Sequence, residues 1–503
     1  MRNLTVGICV SVILAGCGGG GATPTPANST TPTTPATPTT PPAPVVVKDP
    51  LKIVTGASYD AGDGGANPRW VISDFNKDGI KDIFLRYDPE SAFTPNVDSA
   101  GSPVRFFLGK SDGGFTQSTS IFPEGYSPVL VNRIIVNDFN GDGGPDIAIA
   151  AAGKDPYLNG VSASSGHTGS YSQILTYSPN GYKLSKVTNN PLNFGHHVSA
   201  GDINGDYLPD ALVTSMMYIS AFFIMGDSNG NYKADTSRFA SNVFNTNTVE
   251  TFSDGTPKKW EIKRFTSTAM IDANNDGRMD AVLMAGPGTK TSVVYLNDGS
   301  GNFSNDKIME LPAGPYPAGY GYADPNDRTK SYYVGNVHMD TIVADVNGDG
   351  KPDIISLATL RNDSPAENVD CRGAMVQILI NNGKGFTDET KSRVDFTYAP
   401  NKNYTHYESL EFADVNHDGC KDILIHRYQT IWGDSGNPTK ILLNDCKGNF
   451  KEVPYPSVLP KGILTVIADG HYAVLVSEKN GSTYTQRVDD VYYDWSLGKT
   501  LFP

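Results

Sequence analysis

A nine-residue pattern recurs six times along this chain. The copies are DFNKDGIKD (Asp74 to Asp82), DFNGDGGPD (Asp138 to Asp146) and DINGDYLPD (Asp202 to Asp210). They continue with DANNDGRMD (Asp272 to Asp280), DVNGDGKPD (Asp345 to Asp353) and DVNHDGCKD (Asp414 to Asp422). Successive copies start 64, 64, 70, 73 and 69 residues apart. Self-similarity at a fixed period marks a repeat architecture, so the fold must be built from one unit used many times. A second element follows each copy: an apolar run, a Gly/Asn/Asp turn, then usually an aromatic. Examples are FFLGKSDGGF (106–115), FIMGDSNGNY (223–232), VYLNDGSGNF (294–303), ILINNGKGF (378–386) and ILLNDCKGNF (441–450), with ILTYSPNGY (174–182) a looser copy.

Each repeat reads as four strands. Strand a ends at the first Asp, strand b starts at the last, strand c runs into the Gly turn and strand d leaves it. Four antiparallel strands in such a period make a propeller blade. Composition agrees: 52 Gly, 34 Pro, 25 Tyr and 21 Phe favour short strands joined by turns. Six blades fill roughly 69–457. The tail ILTVIADGHYAVLVSEK (463–479) and TYTQRVDDVYYDWSL (483–497) adds three strand-like runs, and LKIVTGAS (51–58) can supply the missing outer strand. Strands from both termini would close the ring and remove open sheet edges. The expected fold is all-β, a seven-bladed β-propeller of four-stranded antiparallel blades; six or eight blades are the alternatives.

The repeated nonapeptide has the chemistry of a hard-cation loop. Positions 1, 3 and 5 carry side-chain oxygens, position 7 offers a backbone carbonyl, and the Asp at position 9 closes the shell. Six to eight oxygens in a flexible cage suit Ca2+ better than Mg2+, which prefers rigid octahedra with retained waters. The expected ligands are Asp74, Asn76, Asp78, Ile80 and Asp82; Asp138, Asn140, Asp142, Gly144 and Asp146; and Asp202, Asn204, Asp206, Leu208 and Asp210. The later copies give Asp272, Asn274, Asp276, Arg278 and Asp280; Asp345, Asn347, Asp349, Lys351 and Asp353; and Asp414, Asn416, Asp418, Cys420 and Asp422. An EF-hand is excluded: position 12 is Leu85 or Ile149 where Glu is needed, and the flanks alternate like strands. Gly at position 6 permits the sharp turn, and Tyr207 in its place makes the third loop the weakest. One such loop is an ordinary Asp/Asn/Gly turn as readily as a metal site; six in identical spacing are not. About six structural Ca2+ ions would offset most of the formal charge of −14. Without them, crowded carboxylates repel, so folding should be coupled to the metal.

These repeats resemble the FG-GAP / VCBS family, the calcium-loop propeller repeats also found in integrin α-subunit heads. The resemblance covers roughly 51–503. It implies loops that connect strands a and b on one face and are structural, with ligands taken by other loops. It implies little about function, because such scaffolds serve adhesins, lectin-like modules, assembly platforms and a few polysaccharide lyases.

The N-terminus reads as an address. Arg2 precedes an apolar run, Leu4 to Leu14, too short to span a bilayer and suited to a signal-peptide core. It ends in Leu14-Ala15-Gly16-Cys17, which resembles a bacterial lipobox, so residues 1–16 would be removed and Cys17 lipidated. Residues 17–48 then form a disordered Thr/Pro/Gly linker, a tether reaching up to about 90 Å at about 3.1 Å per residue. Residues 49–503 form the propeller. The expected location is the bacterial cell envelope, lipid-anchored at the outer membrane, exposed to periplasm or surface. Contact with the membrane is through the Cys17 lipid only. An acidic chain is a poor partner for nucleic acid, and a monomer is expected.

Of the other cysteines, Cys420 in the a–b loop and Cys446 in the c–d turn of blade 6 lie on one face and are the preferred disulfide, leaving Cys371 free. Five residues before each first Asp stand Arg69, Arg133, His197, Ser267, Asp340 and Ser409, a polar series that can ring the central funnel and take an anionic or hydroxyl-rich ligand. His196, His338 and His406 lie nearby. Long connections at 87–103, 152–171, 243–262, 311–337 and 396–407, rich in Tyr, Asn, Asp and Gly, suit sugar or protein recognition. No HExxH, Gly-x-Ser-x-Gly or P-loop is present, and no catalytic residue is assigned. The leading expectation is a non-catalytic, calcium-stabilised surface propeller that binds a glycan or protein. A polysaccharide lyase or hydrolase using the funnel, and an assembly platform for an outer-membrane complex, are the alternatives.

Overall fold

The computed structural model describes residues between 51 and 495, apart from internal segments of which the longest are 89–103, 245–262, 396–406 and 428–438. The signal, Cys17 and the tether lie outside the described residues, as do His406 and most of three expected loops. No described helix is long and apolar enough to cross a membrane. Residues 49–503 form one compact unit.

Seven blades of four antiparallel strands follow one another, and short parallel strands, Val187–Thr188 and Val394–Asp395, add to the outer edges of blades 3 and 6. Blade 1 is Asn67–Ser73, Asp82–Asp88, Val104–Gly109 and Phe115–Ser118. Blade 2 is Val131–Asn137, Asp146–Ala151, Gln173–Thr176 and Lys183–Ser185. Blade 3 is Gly195–Gly201, Asp210–Ser215, Ala221–Gly226 and Tyr232–Asp235. Blade 4 is Phe265–Ile271, Asp280–Ala285, Val293–Tyr295 and Ile308–Glu310. Blade 5 is Ser331–Ala344, Asp353–Asn362, Val369–Asn381 and Phe386–Asp388. Blade 6 is Tyr407–Ala413, Asp422–Arg427, Thr439–Asn444 and Phe450–Val453.

Blade 7 is made from both ends of the chain. Ile463–Ala468, His471–Asn480 and Thr483–Tyr493 are its inner strands, and Leu51–Val54 is its outer one, in register from Leu51 opposite Tyr493 to Val54 opposite Asp490. The expected seven blades and the terminal closure are both found.

The core lies between blades. Second strands such as Asp146–Ala151, Asp210–Ser215 and Asp280–Ala285 are buried along their whole length, because each blade is covered on both faces by its neighbours. That is why they read as unbroken apolar runs instead of alternating. Seven apolar clusters fill the seven blade interfaces. The last joins Ile83, Leu85 and Phe107 of blade 1 to Ile463, Leu475 and Val488 of blade 7 and shuts the ring.

A polar staple reinforces two of these interfaces. Asn381, where strand c of blade 5 ends, is buried; its Nδ2 donates to Ala273 O in the loop of blade 4 and to Pro352 O, each at 3.1 Å, and its Oδ1 accepts from Gly383 N at 2.8 Å. Asn297 of blade 4 grips Ile203 O of blade 3 in the same way at 2.8 Å. Asn381→Ala leaves buried carbonyls unpaired, and thermal unfolding should show a loss of about 2–3 kcal/mol.

Two expectations about loops are corrected. Residues 311–337 are not one loop: Tyr320–Ala323 is an added strand that pairs with Ser331–Val334, and strand a of blade 5 starts seven residues earlier than in its neighbours. Strands b and c of blade 5 lengthen with it, and strand a reaches roughly 23 Å beyond strand a of blades 4 and 6 at about 3.3 Å per residue. Residue 371, expected in a b–c loop, lies within Val369–Asn381. Strands b and c of blade 7 are also long, at 10 and 11 residues. Both extensions stand on the face away from the a–b loops.

Candidate functional site

Two places hold the chemistry: the six a–b loops on one face, and the central channel.

All six loops share three hydrogen bonds: the amide of position 6 donates to the first Asp, that of position 7 to the Asp at position 5, and that of position 2 to the Asp at position 9. In the first, Asp74 Oδ1 accepts from Asp78 N at 3.0 Å and Oδ2 from Gly79 N at 2.9 Å. Asn76 Nδ2 donates to Asp78 Oδ2 at 2.9 Å, and Asp78 Oδ1 accepts from Ile80 N at 2.8 Å. Asp82, fully buried, accepts from Phe75 N at 2.9 Å and Gly109 N at 2.8 Å. The third loop keeps the three shared bonds in spite of Tyr207, but its position-9 carboxylate gains no second amide from strand c. Tyr207 N reaches Asp202 Oδ2 at 2.8 Å, with φ at +70° and the side chain 93% exposed. Position 4 of every loop also has positive φ: Lys77, Gly141, Gly205, Asn275, Gly348 and His417. A non-glycine residue there or at position 6 costs about 1–2 kcal/mol, so Tyr207→Gly should raise stability by about 1 kcal/mol in denaturant titration.

The loops fit a hard cation. Burial, with the neighbouring loop carboxylates adding to it, pushes Asp82, Asp146, Asp280 and Asp422 up to about 6 and Asp210 to about 7. Asp210 Oδ1 is moreover buried with no hydrogen-bond donor. A buried carboxylate oxygen without a partner is costly unless a cation meets it. The third loop, weakest by sequence, thus has the clearest need of one. Among the described residues, no loop draws three carboxylates within 4.8 Å of one another; the one group of three ligand-type side chains that close is Asp418, Cys420 and Cys446. Its sulfurs are joined in the Cys420–Cys446 disulfide, so it is no separate metal centre. Cys446 has φ +64°, where blades 4 and 5 place Gly299 and Gly383.

The channel differs from the open polar ring that the sequence suggests. Ser267, Asp340, His197 and Ser409 are buried. Arg133 Nη1 of blade 2 meets Asp340 Oδ2 of blade 5 at 2.6 Å, and His197 of blade 3 meets Asp340 Oδ1 at 3.0 Å. Asp340 also accepts from Leu410 N of blade 6 at 2.9 Å and from Thr341 N at 2.8 Å. Arg69 of blade 1 pairs with Glu408 of blade 6, and Ser267 Oγ donates to Thr341 Oγ1 at 2.8 Å. Two ion pairs, blade 1 to 6 and blade 2 to 5, therefore span the channel as parallel struts. Burial disfavours the Asp340 charge, yet Arg133, then His197, outweighs it and holds the carboxyl below its usual range. Burial pushes His197 down and keeps it neutral; Nε2–H donates to Asp340 and Nδ1 has no partner. His338 is pushed down to about 4 by burial and bonds Ser356 Oγ at 2.8 Å, while His196 bonds Thr266 O at 2.6 Å.

Beside the struts is a cavity of about 270 Å3. Arg69, Arg133 and Ser409 line it, as expected of a funnel; His197, Ser267 and Asp340 lie outside its wall. Trp70, Glu408, Glu411 and His426 also face it and were not legible in the sequence. For Glu408 the reason is a β-bulge, because it is the bulged residue itself. In blades 2 to 6 the register of strand a slips at the sixth residue before the first Asp, as between Val131 and Arg133 or Tyr407 and Ser409. A bulge re-aims side chains and defeats simple alternation. Glu411 did leave a trace: it is the one charge at its repeat position, where Val71, Ile135, Ser199, Ala269 and Ile342 stand elsewhere.

Among known proteins, the FG-GAP-like repeat matches residues 74–149 and 345–425. No curated protein matches the chain. Among solved structures, an exotype rhamnogalacturonan lyase aligns at 15% identity and TM-score 0.40, over 87% of this chain and 76% of its own. A second rhamnogalacturonan lyase aligns at 12% identity and TM-score 0.36, over 87% and 74%. The rhamnogalacturonan lyase of Bacillus licheniformis gives 15% and 0.29, over 87% and 75%. Likeness at this level carries no argument about activity. Repeat match, blade count and ring closure together establish that the chain is a seven-bladed β-propeller built on FG-GAP-like repeats.

Proposed function

We propose that the chain is a non-catalytic, calcium-stabilised recognition module, lipid-anchored through Cys17 in the bacterial envelope, which takes a glycan or protein on the face opposite its six loops. The observation that carries this is how the channel's acid–base groups are used. His197, His338 and Asp340 are buried and bound to one another or to neighbouring hydroxyls, so they hold the ring together and do not meet a substrate. Cation-fitting loops occupy one face, and the lengthened hairpins of blades 5 and 7 stand on the other. A rigid scaffold that raises ordered strands on one face suits binding. About six Ca2+ ions would supply the charge balance that the buried loop carboxylates need.

The test is retention of the full chain on a broad glycan and polysaccharide array in Ca2+, with supernatants read for unsaturated sugar ends. Binding without product is expected. Released product would replace this reading with a lyase, and silence on every sugar would leave a protein ligand.

A further inference from the structure

The cavity in the channel carries both charge signs on opposite walls. Arg69 and Arg133 come from blades 1 and 2; Glu408 and Glu411 come from blade 6. Each is already engaged. Arg69 pairs with Glu408, and Arg133 with Asp340. Glu411 accepts from Thr465 Oγ1 at 2.7 Å and Val466 N at 2.9 Å. The Glu408 side chain is only 9% exposed. An anionic ligand that claimed Arg69 would strip Glu408 of its cation in a nearly dry site, which is strongly unfavourable. A hydroxyl has no such conflict: it donates to a carboxylate and accepts from a guanidinium while the pair stays intact. Trp70 also lines the space and adds apolar surface to it. At about 270 Å3 the space is below the usual range for extended ligands, roughly 300–1,000 Å3, and suits a single ring.

We propose that this cavity binds one uncharged, hydroxyl-rich ring, the terminal residue of a neutral glycan, and discriminates against uronates. This rests on the reading of the chain as a glycan-binding module. The Arg69–Glu408 pair is the selectivity element.

The test is ligand-observed saturation-transfer NMR on the full chain in Ca2+. The probes are glucose, galactose, mannose and rhamnose set against glucuronate and galacturonate, with the polysaccharide array run in parallel. At least one neutral sugar should bind saturably, about tenfold or more tighter than either uronate, the cost of unpairing Glu408. Trp70→Leu should weaken that binding, and Glu408→Gln, which frees Arg69 of its counter-charge, should bring uronates in. Should Glu408→Gln fail to fold, Trp70→Leu decides alone. Uronates binding the unaltered chain as well as neutral sugars would overturn the proposal, as would neutral binding indifferent to both substitutions. Retention of polysaccharides with no free sugar bound would overturn the cavity assignment and leave the glycan reading standing. Silence in both assays would overturn both.

Discussion

Chelation of the full chain with EDTA should lower its melting temperature by about 20 °C or more, the largest effect expected of any single treatment. An ion present at a hundredfold excess over its dissociation constant stabilises the native state by about 2.7 kcal/mol. Six such ions contribute about 16 kcal/mol, comparable to the whole stability of an ordinary domain, about 5–15 kcal/mol. The chain has reason to depend on them. Its position-9 carboxylates are fully buried and crowded by others in the same loop, so at neutral pH the metal-free protein carries charges that its interior disfavours. Mg2+ should restore little of the loss, since it resists the dehydrated, many-oxygen cage. Differential scanning calorimetry in Ca2+, in EDTA and after re-addition checks both points.

Removal of the channel's central carboxylate ranks second. Asp340→Ala should cost about 3–5 kcal/mol, because breaking a buried pair from one side strands its partners. Arg133, His197 and the Leu410 amide all lose the same acceptor, and they come from three different blades. Replacing both charges, Arg133→Met with Asp340→Leu, should cost less than Asp340→Ala alone, which plain loss of packing does not predict. The pH dependence comes from the sign of the shift. A carboxyl held below its usual value stabilises the fold above the unfolded pKa and loses that contribution as pH falls through the folded one. Asp340→Ala should therefore flatten the acid limb of the stability profile, measured by denaturant titration at several pH values.

Much of this architecture is written locally. Asp-x-Asn-x-Asp-Gly is a self-contained turn whose side chains bond its own amides, so six copies announce six a–b loops wherever they sit. Runs such as DIAIAAA and DIISLA read as strands that start at the last Asp of each motif, and they do. Even the closing strand, Leu51–Val54, is legible, because blade 7 lacks one strand and the segment before blade 1 is apolar. The illegible features depend on partners far apart in sequence. Counting back five residues from each Asp stays on regular strand, but the bulges one residue further, at Asn132, His196, Thr266, Met339 and Glu408, break the alternation there and bring Glu408 to the cavity unannounced. Asp340 reads as one more polar ring member, and only the ring's closure brings Arg133 and His197 to it from blades 2 and 3. The tall sheet of blade 5 is hidden for another reason. GYGYADPNDRTKSYY is rich in turn formers, so its strands read as loop, and pairing with the lengthened neighbour overrides that propensity. Position 4 of the loops carries a subtler signal: three Gly and one Asn in six copies, at a site where φ is positive throughout.

The most direct test of the account is to strip the full chain of metal and titrate it with Ca2+ in a calorimeter, with bound metal counted by elemental analysis after dialysis. The account predicts about six Ca2+ per chain, one per loop, with Asp210→Asn removing a single equivalent. A chain that holds no Ca2+ at saturation, or whose count is unmoved by Asp210→Asn, would contradict it.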